Sequence, residues 1–132
     1  PLTGWHRDGC CSTDENDHGV HTVCAKVTTE FLEWCKEAGN DLITPHPEFG
    51  FPGLKDGDGW CVCASWYARA VEAEKACPIY LKRTHEKTLN LVSMKALKKM
   101  LLICHKNLIC QRRPHPGRLF SFHAIRFARF DA

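Results

Sequence analysis

The segment between residues 41 and 59 constrains the fold most, because its composition disfavours both helix and strand. It contains three prolines and four glycines. Proline lacks a backbone donor and fixes one torsion angle, while glycine loses the most conformational entropy when it is ordered. Long loops inside compact domains often carry function. The sequence therefore predicts a long loop across one end of a small domain, with regular secondary structure before and after it.

A strand followed by a helix is predicted before this loop. Residues 20–27 are rich in β-branched side chains and partly alternate, which is typical of a strand. Thr28 or Thr29 can cap a helix on which apolar side chains recur from Phe31 at intervals of three and four residues. Gly39 and the asparagine after it are expected to end that helix.

Shorter elements are predicted after the loop. Trp60–Ala64 is expected to be a strand, and Ser65 can cap a second helix that ends before Pro78. Ser93 can cap a third helix. Two more strands are predicted at Ile79–Arg83 and Thr88–Val92, and the third helix presents Met94, Leu97, Leu101 and Cys104 on one face. The predicted fold class is α+β, with about three helices packed on a small mixed β-sheet in a single domain.

The charge distribution separates a body from a tail. Residues 1–103 carry 12 basic and 14 acidic side chains, whereas residues 104–132 carry six basic side chains and one acid. We therefore predict an α+β domain over residues 1–103 and a basic C-terminal extension over residues 104–132. The extension is expected either to be poorly ordered or to be an artefact of gene prediction. Its charge suits an anionic partner such as a phosphate backbone or anionic lipid, and the alternative is a solvated tail with no partner.

The composition also excludes several classes of protein. Of the 132 residues 44% are apolar and 25% charged, as in a globular domain rather than a disordered chain. No apolar run reaches the roughly 18 residues that a membrane-spanning helix needs. There is no signal peptide and no N-linked glycosylation site, and nine cysteines, an odd number, do not suit a secreted disulfide scaffold. The sequence predicts a soluble, cytoplasmic protein with free or metal-bound thiols, although the start at Pro1 without a methionine leaves room for an upstream targeting segment.

Seven sequence blocks, in order, resemble an uncharacterised family, domain of unknown function 2237. The blocks are Gly4–Cys11, His21–Ala25, Thr29–Leu32, Gly39–Leu42, Phe51–Lys55, Gly57–Ala64 and Thr84–Leu89. Several blocks in one order are a far more specific signal than any single block. The resemblance covers roughly residues 3–100, and the tail does not match. It implies a small domain of bacteria and some eukaryotes, with no established activity to transfer to this chain.

One interpretation of the cysteines and histidines is a metal site. Zinc takes four nitrogen or sulfur ligands in a tetrahedron, and a strand places residues two apart on one face. The candidate ligands are Cys11, His21, Cys24, Cys61 and Cys63. Against this interpretation, zinc ligands usually come in Cys-x-x-Cys pairs, which the chain lacks. A small binding domain with a structural or regulatory zinc ion is the first functional hypothesis.

A thiol-dependent enzyme or redox protein is the second hypothesis. Cys11 follows a Gly-rich turn and is the predicted nucleophile, with His21 or His85 as its base and Glu86 to orient His85. The structural alternative is that His85 only closes a turn. A third hypothesis is a protein-interaction domain whose cysteines are inert, small core residues.

Three loop residues are candidates for ligand binding. Arg7 and Asp8 lie in the Gly-rich turn before Cys11, and Asp41 follows the predicted end of the first helix. Polar residues on loops are disproportionately binding residues. Aspartates are also the natural choice for turns and helix caps, so both interpretations of Asp8 and Asp41 stay open.

Overall fold

The structure is a computed structural model that describes residues 2–102. The extension predicted over residues 104–132, and Cys104 with it, lies outside the described residues. The elements in chain order are β1 (His21–Lys26), α1 (Thr29–Glu37), β2 (Gly59–Cys63), α2 (Ala64–Glu72) and α3 (Met94–Lys99), with 3₁₀ turns at Pro47–Phe49, Leu81–Arg83 and Glu86–Asn90. Three helices and a small sheet confirm the predicted α+β class.

The sheet consists of two antiparallel strands. His21 of β1 lies opposite Cys63 of β2, and Cys24 lies opposite Cys61, with an irregularity between His21 and Val23. Ile79 extends this sheet by isolated bridges, antiparallel to Ala25 and parallel to Leu101. The core lies where the sheet meets the helices, and its largest fully buried side chains are Tyr67, Phe31, Ile79 and Leu97.

The first helix begins and ends as the sequence predicts. Thr28 Oγ1 accepts a hydrogen bond from the backbone N–H of Phe31 at 3.2 Å, which satisfies one donor of the first turn. At the other end Gly39 has a φ of 99°, in the left-handed region that favours glycine. The backbone N–H of Asn40 then donates to the carbonyl of Cys35 at 2.7 Å. The helix stop therefore fixes Asn40 at the edge of the cleft described below.

The N-cap of the second helix lies two residues earlier than predicted, at Cys63 instead of Ser65. Cys63 is both the last residue of β2 and the N-cap of α2, and its side chain makes no capping hydrogen bond. Ser65 lies inside the first turn, where its Oγ is 3.1 Å from Sγ of Cys63. Strand and helix therefore join without a loop, and the junction holds a thiol.

The two strands predicted at Ile79–Arg83 and Thr88–Val92 are wrong. Apart from the bridges of Ile79, these residues form the 3₁₀ turns Leu81–Arg83 and Glu86–Asn90. Single backbone hydrogen bonds run from Tyr80 and His85 to carbonyls of β1, and threonine hydroxyls add further bonds to β1. Thr84 Oγ1 accepts from the backbone N–H of Cys24 at 3.1 Å, and Thr88 Oγ1 lies 2.7 Å from Thr22 Oγ1 inside the core. The β-branched side chains thus attach turns to β1.

The third helix is confirmed at its start and shorter than predicted at its end. Ser93 Oγ accepts a hydrogen bond from the backbone N–H of Ala96 at 3.2 Å. Leu97 is fully buried, but the helix ends at Lys99 and Leu101 is 40% exposed. The chain turns instead to pair with Ile79, whose backbone N–H donates to the carbonyl of Met100 at 2.8 Å.

Candidate functional site

A cleft of about 440 Å³ lies where the N-terminal segment meets the sheet. The first segment, both strands and the loop after α1 each contribute part of its wall. Its lining residues are Gly4, Trp5, Arg7, His21, Asn40, Leu42, Trp60, Cys61, Val62 and Cys63. The cleft therefore gathers one imidazole, one guanidinium, two indole rings and two cysteine positions.

His21 is held by a buried carboxylate. Asp17 Oδ1 lies 2.6 Å from Nδ1 of His21, and the carboxylate of Asp17 is fully buried while the imidazole is 38% exposed. Asp17 Oδ2 accepts from the backbone N–H of His21 at 2.8 Å and from Thr13 Oγ1 at 2.9 Å. Trp5 stacks on the imidazole with the ring centroids 6.0 Å apart. Position and ring plane of His21 are both fixed.

The charge of Asp17 determines which nitrogen of His21 is basic. Burial alone raises the pKa of Asp17, but hydrogen bonds from His21 and Thr13 outweigh it and leave the pKa below its ordinary value. Asp17 is therefore an anion at neutral pH and can only accept, so Nδ1 of His21 donates to it. In the neutral ring the lone pair is then on the other nitrogen, Nε2, as in a general base.

A strained turn precedes His21. Val20 has a φ of 51°, which is an outlier for a β-branched residue, and its backbone N–H donates to the carbonyl of Asp17 at 3.1 Å. This turn brings the carboxylate of Asp17 back to the residue four positions later. Strain of this kind costs on the order of 1–3 kcal/mol and concentrates at functional sites.

Cys63 lies beside His21 across the sheet. Its thiol donates to the carbonyl of Gly19 at 2.6 Å. A Cβ placed on Gly19 would lie 2.8 Å from Cε1 of His21 and 3.4 Å from Sγ of Cys63, so the ring and the thiol flank the same glycine. As the N-cap of α2, Cys63 also lies at the helix end whose free N–H groups favour negative charge. The thiol of Cys63 and the imidazole of His21, which Asp17 holds, thus lie on either side of Gly19 beside the cleft.

Cys11 forms a disulfide with Cys61 across a sequence separation of 50 residues, with the Cα atoms 5.4 Å apart. This corrects the expectation that the thiols are free or metal-bound. It also removes Cys11 as a free nucleophile in this state, because a disulfide sulfur carries no thiolate. Cys61 additionally donates its backbone N–H to Thr3 Oγ1 at 2.7 Å. Both ends of the segment from Thr3 to Cys11 are therefore fastened to one residue of β2.

Two of the remaining cysteines behave as core residues. Cys35 and Cys77 are fully buried. Burial raises the pKa of Cys35 against a hydrogen bond from Trp66, and raises that of Cys77 to about 12. Such thiols stay protonated and unreactive at neutral pH. Cys63 and the other partly buried thiols, Cys10 and Cys24, remain as reactive candidates.

The five predicted zinc ligands do not form a metal centre in this state. His21, Cys61 and Cys63 line the cleft, but Cys61 and Cys11 are joined to each other. Within residues 2–102 no group of three or more His, Cys, Asp or Glu side chains is placed to hold a metal ion. The oxidised structure thus removes two of the five candidate sulfur and nitrogen donors.

The second predicted base, His85, lies outside the cleft lining. It is buried, its Nδ1 accepts a hydrogen bond from the backbone N–H of Lys87 at 3.1 Å, and it caps the turn that contains Glu86. Burial lowers the pKa of His85, and the negative charge of Glu86 only partly opposes this. The geometry favours the structural interpretation of His85 as a turn residue.

Of the predicted ligand-binding residues, only Arg7 lines the cleft. Asp8 Oδ1 accepts from the backbone N–H of Cys10 at 2.9 Å. Asp41 accepts from the hydroxyl and backbone N–H of Thr44 and from the backbone N–H of Ile43, which lowers its pKa to about 2. Both aspartates stabilise turns. Sequence reasoning missed Asp17, although the turn-forming Asn-Asp-His-Gly run at residues 16–19 was a usable signal.

The chain is a small α+β domain whose cleft is lined by His21 and Cys63, among other residues. The chain belongs to the family described as "Uncharacterized protein conserved in bacteria (DUF2237)", whose model matches residues 1–101. The resemblance predicted from the sequence blocks is confirmed, and the C-terminal remainder is not matched. No curated protein matches the chain. In the part of the chain that the structure describes, no helix is both long and apolar enough to cross a membrane.

Proposed function

We propose that this chain is a thiol-dependent enzyme whose nucleophile is Cys63, with His21 as the base. The observation that supports it is the convergence of the Cys63 thiol and the Asp17–His21 pair on Gly19 at the edge of the cleft. Nucleophilic thiols are activated by an adjacent base that a third group orients. The proposal keeps the thiol hypothesis from the sequence and moves the nucleophile from Cys11 to Cys63.

The proposed chemistry is acyl transfer. Cys63 gives its proton to Nε2 of His21, and the sulfur lone pair forms a bond to the acyl carbon of an ester, thioester or amide. The imidazolium returns the proton to the leaving group as its bond to the carbon breaks. Water then attacks the carbonyl carbon of the thioester while the same nitrogen accepts its proton. As the bond between carbon and sulfur breaks, the imidazolium returns this proton to the sulfur, which releases a carboxylic acid and restores the thiol.

One movement has to precede this chemistry. Sγ of Cys63 is hydrogen-bonded to the carbonyl of Gly19, so it has to rotate away from that carbonyl to reach His21. Hydrogen bonds between a nucleophile and its base are often long or misaligned before substrate binds, and they tighten in the complex. Asp17 acts through His21 and is a positioning residue, since it holds the ring by Nδ1.

Alkylation with iodoacetamide, followed by peptide mass spectrometry, tests the proposal with the disulfide intact. We expect Cys63 to react faster than Cys10 and Cys24, and His21→Gln to slow it by about tenfold or more. The matched control is His46→Gln, because His46 also pairs with a carboxylate, that of Glu48 at 3.0 Å, but does not line the cleft.

The role of Asp17 needs a separate readout. In Asp17→Asn the Nδ1–H proton resonance of His21 should lose its downfield position, and Cys63 should react more slowly. Equal rates at the three partly buried thiols, or a Cys63 rate that His21→Gln leaves unchanged, contradict the proposed function.

Zinc and a cytoplasmic location stay predictions. The observation that bears on zinc is that reduction would free the thiols of Cys11 and Cys61, and Cys61 already shares the cleft with Cys63 and His21. A disulfide is unusual in a reducing cytosol, where such bonds are mostly transient. The redox state of Cys11 and Cys61 in the cell therefore bears on both predictions.

A further inference from the structure

The segment from Thr3 to Cys11 is built as a rigid wall of the cleft. The Thr3–Cys61 hydrogen bond and the Cys11–Cys61 disulfide fasten its two ends to β2. Inside it Gly4 has a φ of 91°, and a Cβ there would collide with the carbonyl of Cys10. The backbone of this wall is thus fixed by cross-links and by close packing rather than by secondary structure.

Arg7 is held at the centre of this wall. Its φ of 53° places it in the left-handed region, and its backbone N–H donates to the carbonyl of Gly4 at 3.1 Å. Its guanidinium lies over the ring of Trp60, 5.3 Å from the ring centroid. Both conformational strain and a cation–π contact are therefore used to keep this charge in the cleft.

The cleft has a positive charge with no acid to neutralise it. Among the described residues none of the cleft-lining side chains is Asp or Glu. In residues 2–102 the ion pairs at 4 Å or less involve His6, His21, His46 and Lys75, and none involves Arg7. The carboxylate of Asp17 is already paired with Nδ1 of His21. The guanidinium keeps its planar set of donors for a ligand.

We infer that Arg7 binds a carboxylate group of the substrate, so that the cleft selects acyl compounds that carry an anion. This inference rests on the proposed function for the reaction, but the anion site stands on its own geometry. The indoles of Trp5 and Trp60 and the side chain of Leu42 suit a small apolar body between the anion and the acyl carbon. Arginine is the residue that matches the planar carboxylate best.

Two alkylating reagents of nearly equal size test the selection. Iodoacetate carries a carboxylate and iodoacetamide does not, so the ratio of their rates at Cys63 reports on the charge of the cleft. Arg7→Gln should lower the ratio of iodoacetate to iodoacetamide about five-fold, as expected for one charge pair near water. Arg69→Gln is the matched control, because Arg69 lies 4.3 Å from the ring centroid of Trp66 and outside the cleft lining.

A binding measurement keeps the inference testable when Cys63 does not react. The Nε–Hε resonance of Arg7 is followed during titration with sodium acetate, and separately with sodium phosphate, at constant ionic strength. A saturating shift with acetate, with an affinity on the order of millimolar, supports a carboxylate site, and a stronger response to phosphate replaces carboxylate by phosphate as the ligand.

The outcomes separate the two proposals. An acetate response together with an unreactive Cys63 leaves the anion site standing and rejects the thiol enzyme. A reactive Cys63 with the same reagent ratio in wild type and Arg7→Gln, and no saturating response of Arg7 to either anion, overturns the anion site and leaves the thiol enzyme standing.

Discussion

Loss of the Cys11–Cys61 disulfide should destabilise the domain substantially. Cross-linking two positions 50 residues apart removes conformational entropy from the unfolded chain. For a loop of this length the chain-entropy relation gives about 4 kcal/mol at 25 °C. Small domains are stable by only about 5–15 kcal/mol, so one covalent bond supplies a large fraction of the total. The mutation to make is Cys11→Ser, which removes the cross-link and leaves a side chain of similar size.

Urea unfolding measures this loss. With an m-value of about 1–3 kcal/mol/M, a loss of about 4 kcal/mol lowers the unfolding midpoint by more than about 1 M. A phosphine reductant should lower the wild-type midpoint and leave that of Cys11→Ser unchanged. Cys10→Ser is the matched control, since it removes the neighbouring thiol, which is outside the disulfide.

Two results would refute this reasoning. A loss below about 1 kcal/mol in Cys11→Ser means that the cross-link does not restrict the unfolded chain as the entropy relation requires. A larger loss in Cys10→Ser than in Cys11→Ser means that the neighbouring cysteine forms the bond with Cys61.

Three further results are expected. Gly19→Ala should slow the alkylation of Cys63 by about tenfold, because the new methyl group would lie 2.8 Å from Cε1 of His21 and displace the ring. Gly59→Ala is the control and should leave the rate unchanged, because a Cβ there meets nothing within 4 Å. Because folding lowers the pKa of Asp17, its ionised form stabilises the fold above the unfolded pKa of about 3.8, and that contribution is lost as the pH falls through the lower folded pKa. The difference in urea midpoint between wild type and Asp17→Asn should therefore shrink as the pH falls through this range. A constant difference would contradict the lowered pKa. Native mass spectrometry with zinc should show added metal only after reduction, if the zinc prediction holds, and an unchanged mass in both states rejects it.

Local signals in the sequence were sufficient for α1 and for the start of α3. Thr28 and Ser93 each cap a helix within three residues, and Gly39 ends one by its own backbone conformation. Such features depend on neighbours along the chain, so the sequence contains all of the necessary information. The strand containing Val23 is likewise set by a short run of β-branched residues.

Long-range partners were what the sequence could not supply. The β-branched side chain of Thr88 predicts a strand, but in the structure its hydroxyl forms a hydrogen bond with Thr22, 66 positions away. The bond between Cys11 and Cys61 is equally invisible, because an odd set of nine cysteines allows many pairings. The sequence names two of the three residues on which the proposed site depends. His21 and Cys63 were both named as ligands, but the role of Asp17 depends on a strained turn at Val20.

The N-terminal wall is attached to Cys61 at both of its ends, so the number of residues in the wall can change independently of the rest of the fold. Thr3 and Cys11 are both joined to Cys61, so residues inserted between them would enlarge a loop whose two ends stay attached to β2. Such insertions change the height and chemistry of one side of the cleft while His21 and Cys63 stay in place. This segment is accordingly the natural place to graft new specificity onto the domain by protein engineering.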